Sequence, residues 1–147
     1  MTFVENRKVR FDYEILETIE AGIELLGHEV KSIRSGAASF DGSYVTIRGG
    51  EAYLIQASVP PYQPSNTPAG YDPLRPRKLI LTKPEIEKLA DIEAKKGLTI
   101  VPLKAYNKGA KVKIELAVVR GKKQFDKRES IKKRETDREI RRTLKEE

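Results

Sequence analysis

The sequence predicts a mainly β domain: a small closed barrel of six antiparallel strands with two or three helices, followed by a basic tail. Three observations carry this. About six segments rich in β-branched and aromatic residues alternate with turn residues. A single stretch, 82–97, combines helix-start chemistry, a helical apolar period and a helix stop. Finally, 147 residues at 38% hydrophobic content suffice for one modest core. Six twisted strands bury such a core most simply by closing on themselves.

Asp12 to Ile19 (DYEILETI) reads as a strand that continues through Gly22 into IELLG, with the glycine where the sheet curls. GHEVKSIRSG (27–36) reads as a short helix, Val30 and Ile33 facing inward and Gly36 ending it. SYVTIRGGEAYLIQASV is a hairpin. Gly49–Gly50 supplies the positive φ angles of a tight turn, and Tyr44, Thr46 and Arg48 alternate with Val45 and Ile47. Residues 60–76 hold six of the eight prolines, so they form an irregular surface loop that offers few donors to a sheet ladder. RKLILT is the next strand. In the helix that follows, Thr82 is the N-cap, Glu85 completes a capping box, Ile86, Leu89 and Ile92 face the sheet, and Gly97 is the stop. LTIVPLKAYNKGAKVKIELAVVRG forms a second hairpin about Asn107–Lys108–Gly109, with Val112, Ile114, Leu116 and Val118 on one face.

The net charge of +7 conceals an asymmetry. Residues 1–73 sum to −4, residues 74–119 to +6 and residues 120–147 to +5. A basic half with a basic tail is the footprint of a polyanion binder. The last 28 residues contain only Phe125, Ile131, Ile140 and Leu144 as large apolar side chains, too few for a core. They are good helix formers, and Glu129–Lys133 and Asp137–Arg141 are favourable i,i+4 pairs. The expectation is a tail, 120–147, disordered when free and helical on a partner, attached to a domain spanning 1–119. The chain contains no cysteine, which excludes disulfides and thiolate metal sites. No apolar run approaches the 18 residues of a membrane span, and MTFVENRKVRFDY lacks a signal peptide's apolar stretch. A cytoplasmic, soluble protein with no membrane association is expected.

Catalytic chemistry is thin. Neither a Walker glycine run nor a dinucleotide fingerprint is present. A serine triad would need His28, the one histidine, which reads as an ordinary surface residue. Asp12, Glu14, Glu17, Glu20, Glu24 and Glu29 include a Mg²⁺ set on paper, but strand alternation sends them to different faces. Arg48–Gly49–Gly50 resembles an RGG element yet sits in a hairpin turn. Phe3, Phe11, Tyr13, Tyr44, Tyr53, Tyr62, Tyr71 and Tyr106 offer stacking surfaces for bases, and several of them must also fill the core.

ENRKVRFDYEI, followed by EAGIELLGHEVKSIRSG, resembles the family of small protein B, the SsrA-binding proteins of bacteria. The resemblance runs on through SYVTIRGGEAYL, DPLRPRKLIL, KGLTIVPLKAY and RGKKQFDKRESIKKRE, in order and over nearly the whole chain. It implies a six-stranded OB-like barrel that binds transfer-messenger RNA at its tRNA-like domain and delivers it to stalled ribosomes for trans-translation. The implied protein is a monomer, needs no cofactor or metal and is not an enzyme. It implies RNA contacts at Asn6, Lys8 and Arg10, and at Glu20 and Ile80. In the tail, Gly121, Lys122, Lys123, Asp126, Lys127 and Arg128 match the segment that leads into the decoding centre of the small subunit and its empty message channel. Two positions depart from the family pattern: Phe11, where many members have His, and Thr136, where some carry a large aromatic. The alternative from the residues alone is a generic OB-type single-strand binder or a ribosome-associated structural protein.

Overall fold

The computed structural model describes residues 1–63, 65 and 67–121. The expected tail positions Lys122, Lys123, Asp126, Lys127, Arg128 and Thr136 lie outside the described residues. In chain order the elements are β1 (Thr2–Glu5), α1 (Lys8–Asp12), β2 (Tyr13–Ile23), α2 (Gly27–Arg34), β3 (Tyr44–Arg48), β4 (Glu51–Ile55), β5 (Arg77–Ile80), α3 (Lys83–Glu93), β6 (Leu98–Lys108) and β7 (Lys111–Gly121). The strands form one antiparallel sheet in the order β1-β6-β7-β2-β5-β4-β3. The mainly β expectation holds. Two of its particulars do not.

The sheet has seven strands rather than six, and it is not closed. The extra strand is the N-terminal TFVE, which pairs with β6, and the amide of Asn107 donates to the carbonyl of Met1 at 2.9 Å. Four residues are too few for an alternation signal to register. Closure would require β3 to pair with β1 or with the part of β6 that β1 leaves uncovered. β3 approaches β6 without forming a ladder, and α3 packs against both strands. Its Glu93 carboxylate accepts from the Ile47 amide at 2.9 Å and from the Thr46 hydroxyl at 3.3 Å, so a helix side chain satisfies an edge that another strand would have taken.

The local chemistry of α3 is as expected. The Thr82 hydroxyl accepts from the Glu85 amide, and the Glu85 carboxylate accepts from the Thr82 amide at 2.9 Å. In α2 the Glu29 carboxylate accepts the Leu26 amide at 2.8 Å, an acidic partner for an otherwise orphaned donor at the helix start. Gly49 and Gly50 turn the first hairpin at φ 58° and 76°. The second turn is displaced from its expected position. Lys108 pairs with Lys111, so Gly109–Ala110 makes the turn while Asn107 and Lys108 remain in the ladder. Strand β2 ends at Ile23 rather than running on through IELLG, although the Glu24 amide still donates to the Lys78 carbonyl at 2.9 Å.

The main core gathers Ile33, Phe40, Leu54, Leu79, Leu89, Ile100, Ile114 and Leu116, among others. Val112, Ile114, Leu116 and Val118 face it as the alternation predicts. The opposite face of β7 is buried as well, because α1 lays Val9 over Val101, Leu103, Ala117 and Val119. That second cluster is why a five-residue helix with no side-chain cap persists: it is held by packing, not by propensity.

Candidate nucleic-acid interface

The register of three strands assembles a polar face at one end of the sheet. Glu20 on β2 lies opposite Glu115 on β7, which lies opposite Lys104 on β6. One step along, Gly22 lies opposite Lys113, which lies opposite Tyr106. On the other flank, Gly22 is also the partner of Ile80 on β5. Cross-strand partners share a face, so Glu20, Ile80, Tyr106 and Lys113 come together from four strands.

Two facing carboxylates, Glu20 and Glu115, would repel each other without cations. Lys108 donates to Glu20 at 2.8 Å, Lys104 stands 3.5 Å from Glu115, and the Tyr106 hydroxyl donates to the other oxygen of Glu20. The Lys108 and Tyr106 hydrogen bonds lower the Glu20 pKa, and Lys113 adds to this through space. Burial and the neighbouring Glu20 push the Tyr106 hydroxyl up, so it stays a neutral donor. The Lys104 ammonium lies 5.5 Å from the Tyr106 ring centroid, which further fixes the ring.

Ile80 is 56% exposed, unusual for a large aliphatic in a sheet. Gly22 explains how it fits. A Cβ built there would stand 3.1 Å from the Ile80 Cβ and 3.5 Å from the Lys113 ammonium. Thus Gly22 provides room for close approach. The whole face presents carboxylate acceptors, lysine ammonium groups and one apolar knob. Acceptors, cations and an apolar side chain in one place can offer contacts to the phosphates and base edges of a folded RNA.

The other sequence-predicted residues lie elsewhere. Lys8 and Arg10 stand exposed on α1, and the Lys8 ammonium is 3.7 Å from Asp41. Asn6 is only 5% exposed, and its side-chain amide donates to the Phe40 and Pro102 carbonyls at 3.2 Å each. Both amide hydrogens are therefore committed to fastening the segment that carries Lys8 and Arg10, and Asn6 and Lys8 line a cleft of about 260 Å³ with Tyr13 and Tyr44. This group sits at the start of β2, roughly 20 Å along the strand from Glu20. Gly121 is the partner of Tyr13, so the chain leaves the sheet beside α1, away from the Glu20 face.

Glu29 has a wholly different setting. It is fully buried, and so is Arg77. Its carboxylate accepts from Arg77 at 2.7 and 2.9 Å, from the Tyr71 hydroxyl at 2.9 Å and from Arg75. Arg77 also donates to the carbonyls of Ala57 at 2.8 Å and Pro73 at 3.0 Å. Burial pushes Glu29 up, but Arg75, the Leu26 amide and Arg77 outweigh it and hold the carboxyl at about 2. This knot ties the proline-rich loop to α2. His28, expected on the surface, packs edge-on against Tyr71 with ring centroids 4.6 Å apart.

The carboxylates weighed for a metal site are dispersed by the fold. Glu14 pairs with Arg120 at 2.8 Å, Glu17 with Lys88, and Glu29 with its arginines. Among the described residues, no three His, Asp or Glu side chains are grouped to hold a metal ion. No helix among them is long and apolar enough to cross a membrane.

Comparison with known proteins agrees with this architecture. The chain is 50% identical over 141 residues to an SsrA-binding protein of Chloroflexus aggregans, covering 96% of this chain and 89% of that one. It is 52% identical over 141 residues to an SsrA-binding protein of Chlorobaculum tepidum, covering 95% and 89%. A solved structure, "tmRNA-SmpB: a journey to the center of the bacterial ribosome", superposes with a TM-score of 0.69 at 46% identity, covering 86% of this chain and 92% of that one. Residues 3–146 match the model of the SmpB protein family, and the chain belongs to that family.

Proposed function

We propose that this chain binds transfer-messenger RNA and acts with it on stalled ribosomes in trans-translation. It is a binding protein rather than an enzyme, in keeping with its SsrA-binding relatives. The observation that carries the reading is the outward face of Glu20, Ile80, Tyr106, Lys108 and Lys113, which gives a tRNA-shaped partner both hydrogen-bond acceptors and cations. Glu20 is not anomalous against a polyanion. Its charge is matched by Lys108 and Tyr106, and a carboxylate has lone pairs beyond those two bonds for a base amine.

In this reading the folded unit, 1–119, grips the tRNA-like domain, and the basic segment 120–147 serves the ribosome. Lys122, Lys123, Asp126, Lys127 and Arg128 enter the empty message channel toward the decoding centre, where message RNA would exclude them by volume and by charge. The exit at Gly121, on the opposite end of β2 from Glu20, supports this division. Asn6 acts by fastening α1, with Lys8 and Arg10 as the exposed contacts. The protein works as a soluble cytoplasmic monomer.

Truncation after Gly121 tests the division of labour. The expected result is nearly unchanged affinity for the tRNA-like domain and complete loss of tagging of stalled chains. A truncated protein that still supports tagging overturns it. A generic single-strand binder, the competing reading, would bind an equal-length unstructured RNA as well as the folded one at fixed salt.

A further inference from the structure

Beside the Glu20 face, and sharing Ile80 and Lys113 with it, lies a groove of about 480 Å³ whose other lining residues have no role in the reading above. Ile23, Leu25, Val30 and Val112 line it with apolar surface, and Ile80 forms part of its wall. Arg34, Lys111 and Lys113 also line it. Arg34 is held in place: its guanidinium donates to the Ala110 carbonyl at 3.0 Å and stands 5.9 Å from the Phe3 ring centroid. A guanidinium carries five donors, so an Arg34 fixed through one of them keeps others for a phosphate.

An apolar trough bordered by three cations is a poor match for a duplex, whose bases are stacked away from the protein. It also does not suit an acidic peptide, which would leave the apolar lining exposed. A single unstacked nucleotide matches both parts, with its base against the aliphatic side chains and its phosphates beside the cations. The groove shares Gly22, Ile80 and Lys113 with the Glu20 face, so an RNA on that face reaches it without a break. Glu24 lines the groove as well and supplies an acceptor for a base amine.

We propose that the groove beside Ile80 is a pocket for one flipped-out nucleobase, with Arg34, Lys111 and Lys113 holding the flanking phosphates. The inference rests on the RNA-binding reading above.

The test is an abasic scan. Single abasic nucleotides are placed in turn through the loops of a synthetic tRNA-like domain of transfer-messenger RNA, and the affinity of the full-length protein is measured at fixed salt. One position is expected to cost at least tenfold while its neighbours cost little. Val30→Phe, which fills the groove, is expected to weaken the intact RNA to the same degree and to make that abasic position silent. Should Val30→Phe fold poorly, Ala110→Tyr blocks the groove from the exposed turn and is expected to behave likewise. A flat scan from a protein that still prefers the tRNA-like RNA to an equal-length single strand overturns the pocket alone. Loss of that preference in the unaltered protein overturns the RNA-binding reading and the pocket with it.

Discussion

Glu20 and Glu29 lie nine residues apart in sequence and differ chiefly in setting: each carboxylate accepts from a tyrosine hydroxyl and from basic side chains. Glu29 is fully buried and Glu20 is exposed. Burial removes water as a competitor, so the Glu29 knot carries folding energy and cannot lose a member cheaply. Exposure leaves Glu20 screened, so its pairing adds little to stability and leaves the group available to a partner. The same residue types thus serve the fold in one place and recognition in the other.

The sharpest way to break that comparison is at the buried end. Glu29→Gln leaves Arg77 buried without its counter-charge, and the expected cost is about 3–5 kcal/mol in urea unfolding. Unfolding unchanged by that substitution contradicts the contrast. Molecules that remain folded should bind the tRNA-like RNA as before.

Acid sharpens it further. The Glu29 carboxyl is held at about 2, below its ordinary 4.5. A depressed folded-state value means stability that is fully present above pH 4.5 and is lost as pH falls toward 2, amounting to about 3 kcal/mol. Stability measured between pH 6 and pH 2 should fall across that window in the native chain, and Glu29→Gln should remove this part of the slope.

At the exposed end the expected effects shift from stability to affinity. Glu20→Gln should leave the urea curve in place and weaken the tRNA-like RNA roughly tenfold, the loss of one charge-assisted contact. Smallest is Lys113→Met, which should lower the slope of log affinity against log salt by about 1 without altering which RNA is preferred. A change of preference would make Lys113 a base reader rather than a phosphate contact.

Much of this was legible in the residues themselves. Thr82 with Glu85, Gly49–Gly50 and the alternation from Val112 to Val118 are local signals, and the fold obeys each of them. What escaped was non-local. Strand β1 is four residues long and becomes a strand only because β6 offers an edge. The sheet stays open, and the β3 edge is met instead by Glu93 of α3, a contact between residues 46 apart in sequence. The Glu29 knot left no trace either, since buried charges read as surface residues until their partners are known. In the candidate interface, Glu20 and Ile80 came from the family resemblance. Tyr106 was one of eight aromatic candidates in the sequence, and the register of β6, β7 and β2 singled it out and added Lys108 and Lys113 beside it.

The central claim, that the Glu20–Ile80 face chooses a tRNA-shaped RNA, is tested most directly by competition. The tRNA-like domain is competed against an equal-length single strand at fixed salt, for the native chain and for Glu20→Gln with Ile80→Asn in parallel. The account predicts a strong preference in the native chain that the double variant loses while its unfolding curve stays put. A double variant that discriminates as well as the native chain would contradict it.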